Sequence, residues 1–416
     1  MRSKKTRRDR LVFLILAIAL VVIIGFTWRE FAVPRERDFL TGLAPLDWFL
    51  ARVFPETTTP EALEQKYASS KLKVLLVPGH DNEHSGAVFG LLTEANLNLE
   101  LARYLNELFS NDEKFESLFV RDFATGDYVP TFNNYFTTER AAILNFMNSR
   151  KELLRKLIDA GEFERHVTVN HNFALEEVAL KLYGVNKWAN ENGVDLSIHI
   201  HFNDYPGRRN SSRYSGFSIY VPEDQYPNSR ASREIGQSIS DQLKNFSATS
   251  NHPLEANGMI ESQELIAVGS HASQDGAAVL IEYGYIYESR LNNPELRKLV
   301  LRELAMETYR GVKSYFDKTD VESSTILPHR FSSNLQNGSE GGEVLALQYA
   351  LRNDSLYPPP GHSLNDCPIN GRFGPCTEAA VRLFQTKHQT EILAPLGLST
   401  PTGVVGPSTI EKLNTL

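Results

Sequence analysis

From about residue 73 the chain alternates two hydrophobic patterns. Short apolar runs rich in Val, Ile and aromatic residues come in the order "KVLLV", "SLFVRD", "VDLSIHIHF", "FSIYVP" and "AAVLIEYGYI". They read as strands. Between and after them, "LNLELARYLNELF", "SREIGQSISDQLKNF" and "PELRKLVLRELAMETYRGVKSYF" carry apolar residues at helical spacing. This alternation predicts an α/β fold: a mainly parallel sheet with helices on both faces, over residues 73–317. Sites in such folds form at the C-terminal ends of strands.

Two stretches depart from the alternation. Between Arg121-Asp122 and Asp195 the chain is long, with an insert over about residues 125–180. Within it Ile143, Phe146, Met147, Leu153, Leu154, Leu157 and Ile158 have helical spacing, and Gly161 supplies a stop. That stripe must be buried, either on the flank of the sheet or as a lid over a cleft at the strand ends. Past Asp317 the chain turns polar and Ser-rich, broken by Pro328, so residues 318–338 read as a linker. Residues 339–416 then hold an internal repeat, G-x-x-G-P-x-T, at Gly371, Gly374, Pro375, Thr377 and again at Gly403, Gly406, Pro407, Thr409. Glycine makes the turn, and proline at the first helical position loses nothing by lacking an N–H. With "GGEVLALQYAL" ahead of it, this predicts a small all-α unit of three helices.

The N-terminus has its own pattern. Residues 1–10 carry six basic side chains against Asp9, and residues 11–28 carry no charge. As a helix those 18 residues span about 27 Å, near the thickness of a bilayer's hydrocarbon core. A signal peptide has a shorter apolar region and a small-x-small cleavage site, and "FTWREFAV" offers none. The expectation is an uncleaved transmembrane anchor, with the basic tail in the cytoplasm. Residues 29–72 then form a stalk with short helical pieces, and the rest of the chain lies outside the cytoplasmic membrane, in the periplasm or wall.

Composition adds one exclusion. The chain of 416 residues carries −8 overall and +5 in its first ten residues, which leaves −13 for the remainder. Nucleic-acid binding needs clustered cations, so nucleic acid is excluded as a partner. There are two cysteines, Cys367 and Cys376. They form a disulfide closing a small loop or remain two thiols. No CxxC pair accompanies them, so they are not part of a zinc set.

Four stretches of the α/β region carry candidate chemistry. "VPGHDNEHSGA" puts His80 in a turn after a strand, and "LLTEANLNLELA" puts Glu94 at the head of a helix. "DLSIHIHFND" ends a strand with His201, and "AAVLIEYGY" sets Glu282 inside an apolar strand. His199 and His201 share one strand face. A strand histidine is more often satisfied structurally than metallated. Glu94 alone could be a first-turn acid favoured by the helix dipole. An unpaired carboxyl in an apolar run such as Glu282 is costly without a role. His84, His166 and His171 read as solvated or supporting residues.

These four stretches, in this order, resemble the zinc-dependent N-acetylmuramoyl-L-alanine amidases over residues 73–317. "LLVPGH…SGA…GLLTEANLNLELA" is similar to that family's strand–GH–loop–Glu–helix opening, "DLSIHIHFN" to its D-L-x-x-S-I-H-x-N strand, and "AVLIEYGYI" to its V-E-x-G-F strand. The resemblance implies a Zn2+ cofactor held by His80, Glu94 and His201, with Glu282 catalytic. Aligning Asp195-Leu196 with the family's D-L puts His201, not His199, at the ligand position. The C-terminal repeat resembles the helical peptidoglycan-binding domain found beside such enzymes, which makes peptidoglycan the expected partner. Departures fall on the pocket lining: Asp81 and Asn82 stand where glycines are usual, His84-Ser85 where an acid is usual, and His199 where serine is usual. The implied reaction is hydrolysis of the amide between N-acetylmuramic acid and L-alanine of the stem peptide. The rivals are a zinc peptidase of the stem peptide and a non-catalytic wall-binding scaffold.

Overall fold

The strand patterns assemble into one six-stranded sheet and a small hairpin. The strands are β1 (Leu72–Pro78), β2 (Val88–Phe89), β3 (Leu92–Thr93), β4 (Phe115–Phe119), β5 (Leu196–Asn203), β6 (Ser218–Pro222), β7 (Met259–Ser262) and β8 (Ala277–Tyr285). The sheet order is β4-β1-β5-β8-β6-β7, and β2 pairs with β3 alone. Strands β4, β1, β5 and β8 are parallel; β6 runs against β8, and β7 follows β6. The sheet is therefore mainly parallel. The computed structural model describes residues 58–166, 174–205, 213–318 and 324–416. The apolar run 11–28 and His171 lie outside them, and among the described residues no helix is long and apolar enough to cross a membrane.

The helices are α1 (Pro60–Ser69), α2 (Glu94–Ser110), α3 (Pro130–Thr138), α4 (Arg140–Asp159), α5 (Glu176–Glu191), α6 (Ser229–Phe246), α7 (Pro294–Asp317), α8 (Gly342–Asn353), α9 (Pro375–Lys387) and α10 (Pro407–Leu413), besides shorter turns. Alternation along β5 sorts them into layers. Leu196, Ile198, Ile200 and Phe202 face a core shared with α2, α6 and α7. On the other face Leu75 and Val77 of β1 meet Phe132, Phe136, Ile143, Met147, Leu180 and Tyr183 from the insert helices.

The insert thus buries its stripe on the flank of the sheet. Leu154 and Leu157 continue it against Phe163, Tyr226 and Ala272. Helices α3 and α5 and strand β7 have too little apolar periodicity to stand out in the sequence. Helix α1, inside the stretch read as a stalk, packs on the core. Leu63 and Tyr67 are buried, and Tyr67 stacks on Phe316 at 4.7 Å.

The C-terminal unit explains its repeat. Gln348 on α8 accepts the backbone N–H of Asn370 and Gly371 at 3.0 and 2.9 Å and donates to Thr377 Oγ1 at 3.0 Å. Gln385 on α9 accepts from Gly403 N at 3.0 Å and donates to Thr409 Oγ1 at 3.2 Å. Each helix glutamine clamps the glycine turn that follows it and the threonine in the first turn of the next helix. Cys367 and Cys376 are joined as a disulfide.

This unit is fastened to α7. Fully buried Glu303 accepts from Ser324 Oγ, the Thr325 hydroxyl and the Thr325 and Ile326 amides at 2.6 to 3.1 Å. Tyr349 donates to the equally buried Glu307 at 2.6 Å. Burial raises the Glu307 carboxyl to about 7.

Candidate metal centre

Strand β1 ends at Pro78, and the backbone turns at Gly79-His80. His80 has a left-handed φ of 63°, a conformation that costs a non-glycine residue energy and has to be held from outside. The next turn of chain passes through Gly86 and the β2–β3 hairpin into α2, whose first residue is Glu94. Thr93 caps that helix, accepting from Asn96 N at 3.4 Å. His201 stands on β5, level with Glu282 of β8 in the parallel register. Residues paired in this way project to the same face of the sheet.

Three of the four sequence-predicted residues come together, with His80 and His201 both on Glu94. Its carboxylate lies 3.1 Å from His80 Nε2 and 3.0 Å from His201 Nδ1. One donor atom from each of His80, Glu94 and His201 lies within 4.8 Å of the others, so the trio could hold a metal ion. Glu94 is buried, and its oxygens also accept from the amides of Ala87 at 3.0 Å and Phe202 at 3.4 Å. Burial pushes the Glu94 carboxyl up, but the two imidazoles outweigh it and hold it well below the usual range. On His80, burial opposes charge, and the hydrogen bond and charge of Glu94 overcome it, raising the ring's pKa.

Two glycines are required by these close approaches. A Cβ on Gly79 would lie 2.1 Å from His201 Cε1. One on Gly86, where φ is +69°, would lie 2.5 Å from Glu94 Oε2. Both the G of the "GH" pair and the G of "SGA" therefore leave room for the His201 and Glu94 side chains.

Glu282 sits beside the trio and differs from it electrically. Its Oε2 is buried with no hydrogen-bond partner among the described residues. Burial raises its pKa well above the usual value, and the negative Glu94 and Glu255 add to the effect. A carboxyl so placed takes up a proton readily.

His199 has a different environment. It is level with Val77 of β1 and Leu280 of β8 and is 1% exposed. Burial, helped by His201, drives its pKa down to about 3, so it is neutral. It does not belong to the trio. His84 lies near Asp81 at 3.4 Å, and His166 pairs with Glu223 at 2.7 Å. Asp81, Glu83 and His84 also approach one another as a possible cation group, but Lys181 of α5 reaches both acids, at 3.0 and 3.3 Å, and supplies the positive charge.

Sequence reasoning missed Glu255. It is a buried acid that accepts from Asn203, Tyr220, Ser250 and Tyr285 at 2.7 to 3.1 Å and sets a second negative charge near Glu282. Its stretch "NHPLEANG" has no periodicity, so nothing local marks it. Arg121 and Asn98 were also missed. Asn98 had a signal, because it lies one helical turn after Glu94 and so on the same side of α2.

Residues 137–314 match the family model described as N-acetylmuramoyl-L-alanine amidase. Residues 340–413 match the one described as "Putative peptidoglycan binding domain". The first match contains His201 and Glu282. His80 and Glu94 lie ahead of it and join the site by geometry. Similar solved structures include an N-acetylmuramoyl-L-alanine amidase from Clostridium difficile 630, at 16% identity over 60% of this chain and 98% of that one, TM-score 0.37. Another is the amidase AmiC2 of Nostoc punctiforme, at 16% identity over 60% and 99%, TM-score 0.38. A third is Ami1 from Mycobacterium abscessus, at 12% identity over 59% and 99%, TM-score 0.38. No curated protein matches the sequence.

Proposed function

We propose that this chain, which carries an N-acetylmuramoyl-L-alanine amidase domain and a C-terminal peptidoglycan-binding domain, hydrolyses the amide joining the muramic-acid lactyl group to L-alanine, with zinc as its cofactor. The observation that carries the reading is the convergence of His80, Glu94 and His201 beside a carboxyl of raised proton affinity. The trio suits a metal. Two imidazoles and one carboxylate are the donor set of catalytic zinc sites, which keep one position open. When bound, zinc supplies a water of lowered pKa, near ~7, and polarises the substrate carbonyl. Glu282 accepts the proton of the attacking water and returns it to the amide nitrogen as the C–N bond breaks. The products are a lactyl carboxylate and a stem peptide with a free L-alanine amine.

Muropeptide mass spectrometry tests the reading. Intact sacculi digested by the purified protein should release stem peptides that begin with a free L-alanine amine. Stems shortened internally would make the protein a peptidase, and no products would make it a scaffold.

The organisation that goes with this function is a basic cytoplasmic tail over 1–10, a membrane anchor over 11–28, a stalk over 29–72 whose helix α1 packs on the amidase core, the amidase domain over 73–317 and a wall-binding domain over 339–416. The basic flank and the uncharged run support the anchor. A disulfide suits a compartment outside the cytoplasm. The tail domain raises the effective concentration of enzyme at the wall. A chain ending near Asp320 should still cleave small soluble muropeptides and should pull down poorly with insoluble sacculi. It should also melt at a lower temperature, because residues 324–326 and Tyr349 no longer cover Glu303 and Glu307. Equal pull-down with and without the tail would remove the tethering role.

A further inference from the structure

Among the described residues Arg121 heads the fully buried side chains by size. It follows the edge strand β4, is 0% exposed, and makes no ion pair among the described residues. A buried guanidinium is expensive unless its donors are used. Here Nε and NH1 go to backbone carbonyls, while NH2 is buried without a hydrogen-bond partner among the described residues. Nε donates to Gly126 O at 2.8 Å, and NH1 to Ala95 O at 3.3 Å, with Gly79 O at 3.5 Å. Gly79 immediately precedes His80, and Ala95 immediately follows Glu94. One planar group therefore spans the backbones that carry two members of the metal trio.

Asn98 makes the same connection from the other side. It is 0% exposed on α2, and its Nδ2 donates to Gly79 O at 2.9 Å. A third tie runs through Asn82, which donates to Thr125 O at 3.2 Å and to Asp127 Oδ1 at 2.7 Å and so fastens the His80 loop to the loop that Arg121 holds. These ties converge on the turn where His80 adopts φ 63°. Without them that turn can relax toward an ordinary conformation, and the His80 ring would swing away from Glu94.

We infer that Arg121 and Asn98 are positioning residues that set the spacing between His80 and Glu94 and hold the His80 turn in its left-handed conformation, ready for metal. The inference rests on the metal reading of the trio. It assigns a metal-affinity role to two residues that touch neither metal nor substrate. Arginine is needed because its planar fork reaches two carbonyls at once, which a lysine ammonium on a flexible stem does not do in a fixed geometry.

The test is Zn2+ titration of the full-length chain against a chromophoric chelator, comparing the parent with Arg121→Lys and Asn98→Leu. Arg121→Lys keeps the charge and loses the fork. Its zinc affinity should fall roughly 10–100-fold, the usual cost of losing a group that orients a metal ligand, while circular dichroism stays that of the parent. Asn98→Leu should fall in the same direction and serves as the readout if Arg121→Lys does not fold. A purely structural role would lower the melting temperature and leave the affinity of the folded protein unchanged, which would overturn the inference. A parent chain that binds no zinc would overturn the metal reading itself, and the inference with it. Parent-like affinity in both variants would overturn the inference alone.

Discussion

Glu282→Gln should retain zinc at parent occupancy while turnover on muropeptides falls by at least roughly 10²-fold, the smallest loss typical of removing a positioned general base. Glutamine has the shape of glutamate but cannot take the proton that must travel from water to the leaving nitrogen. The fold should tolerate the change. Glu282 Oε2 is buried without a partner, and burial together with Glu94 and Glu255 already disfavours its charged form. A neutral isostere relieves that cost, so the melting temperature of the metal-free variant should match or exceed the parent's. Metal analysis and kcat measured on the same preparation separate the two roles. Parent-like rates would refute the catalytic assignment. Loss of zinc would move Glu282 into the ligand set.

His201→Ala should abolish stoichiometric zinc binding, whereas His199→Ala should keep it. Losing one of three protein ligands removes a donor that the remaining two cannot replace. In the structure His201 Nδ1 is 3.0 Å from the Glu94 carboxylate, with Gly79 leaving room for its ring. His199 lies two residues down the same strand face, level with Val77 and Leu280. Burial holds it neutral, and it contributes packing rather than a donor to the trio. The His199→Ala cost should therefore appear in stability, as about 1–3 kcal/mol for the cavity left in a buried site. Elemental analysis decides: full occupancy in His201→Ala with loss in His199→Ala would reverse the assignment.

The strands and long helices were legible because their signals are local. Alternation in "LSIHIHFN" and helical spacing in "LNLELARYLNELF" place apolar residues on one face whatever the rest of the chain does. The G-x-x-G-P-x-T repeat was legible for the same reason, although the clamping glutamines that explain it were not. Helices α3 and α5 were illegible. Their apolar residues serve a neighbour in the insert as much as the sheet, so no clean stripe forms. Glu255 and Arg121 were illegible as well. A single charged residue in a loop or just past a strand end looks solvated until the fold buries it.

By itself the sequence determined an α/β domain with a repeat-built helical tail. Through its motifs it also singled out four residues with the chemistry of a metal hydrolase. Periodicity could put His199 and His201 on one face but could not tell them apart. Only the tertiary structure decided what each one faces. The register of β5 against β1 and β8 sets His201 level with Glu282 and under Gly79, and His199 level with apolar Val77 and Leu280. It also brings the left-handed turn at His80 and the first residue of α2 within reach of that histidine. These relations join residues 81 to 122 positions apart. They depend on how strands align and how backbone carbonyls are held, and neither leaves a trace in the local pattern of hydrophobic and polar positions.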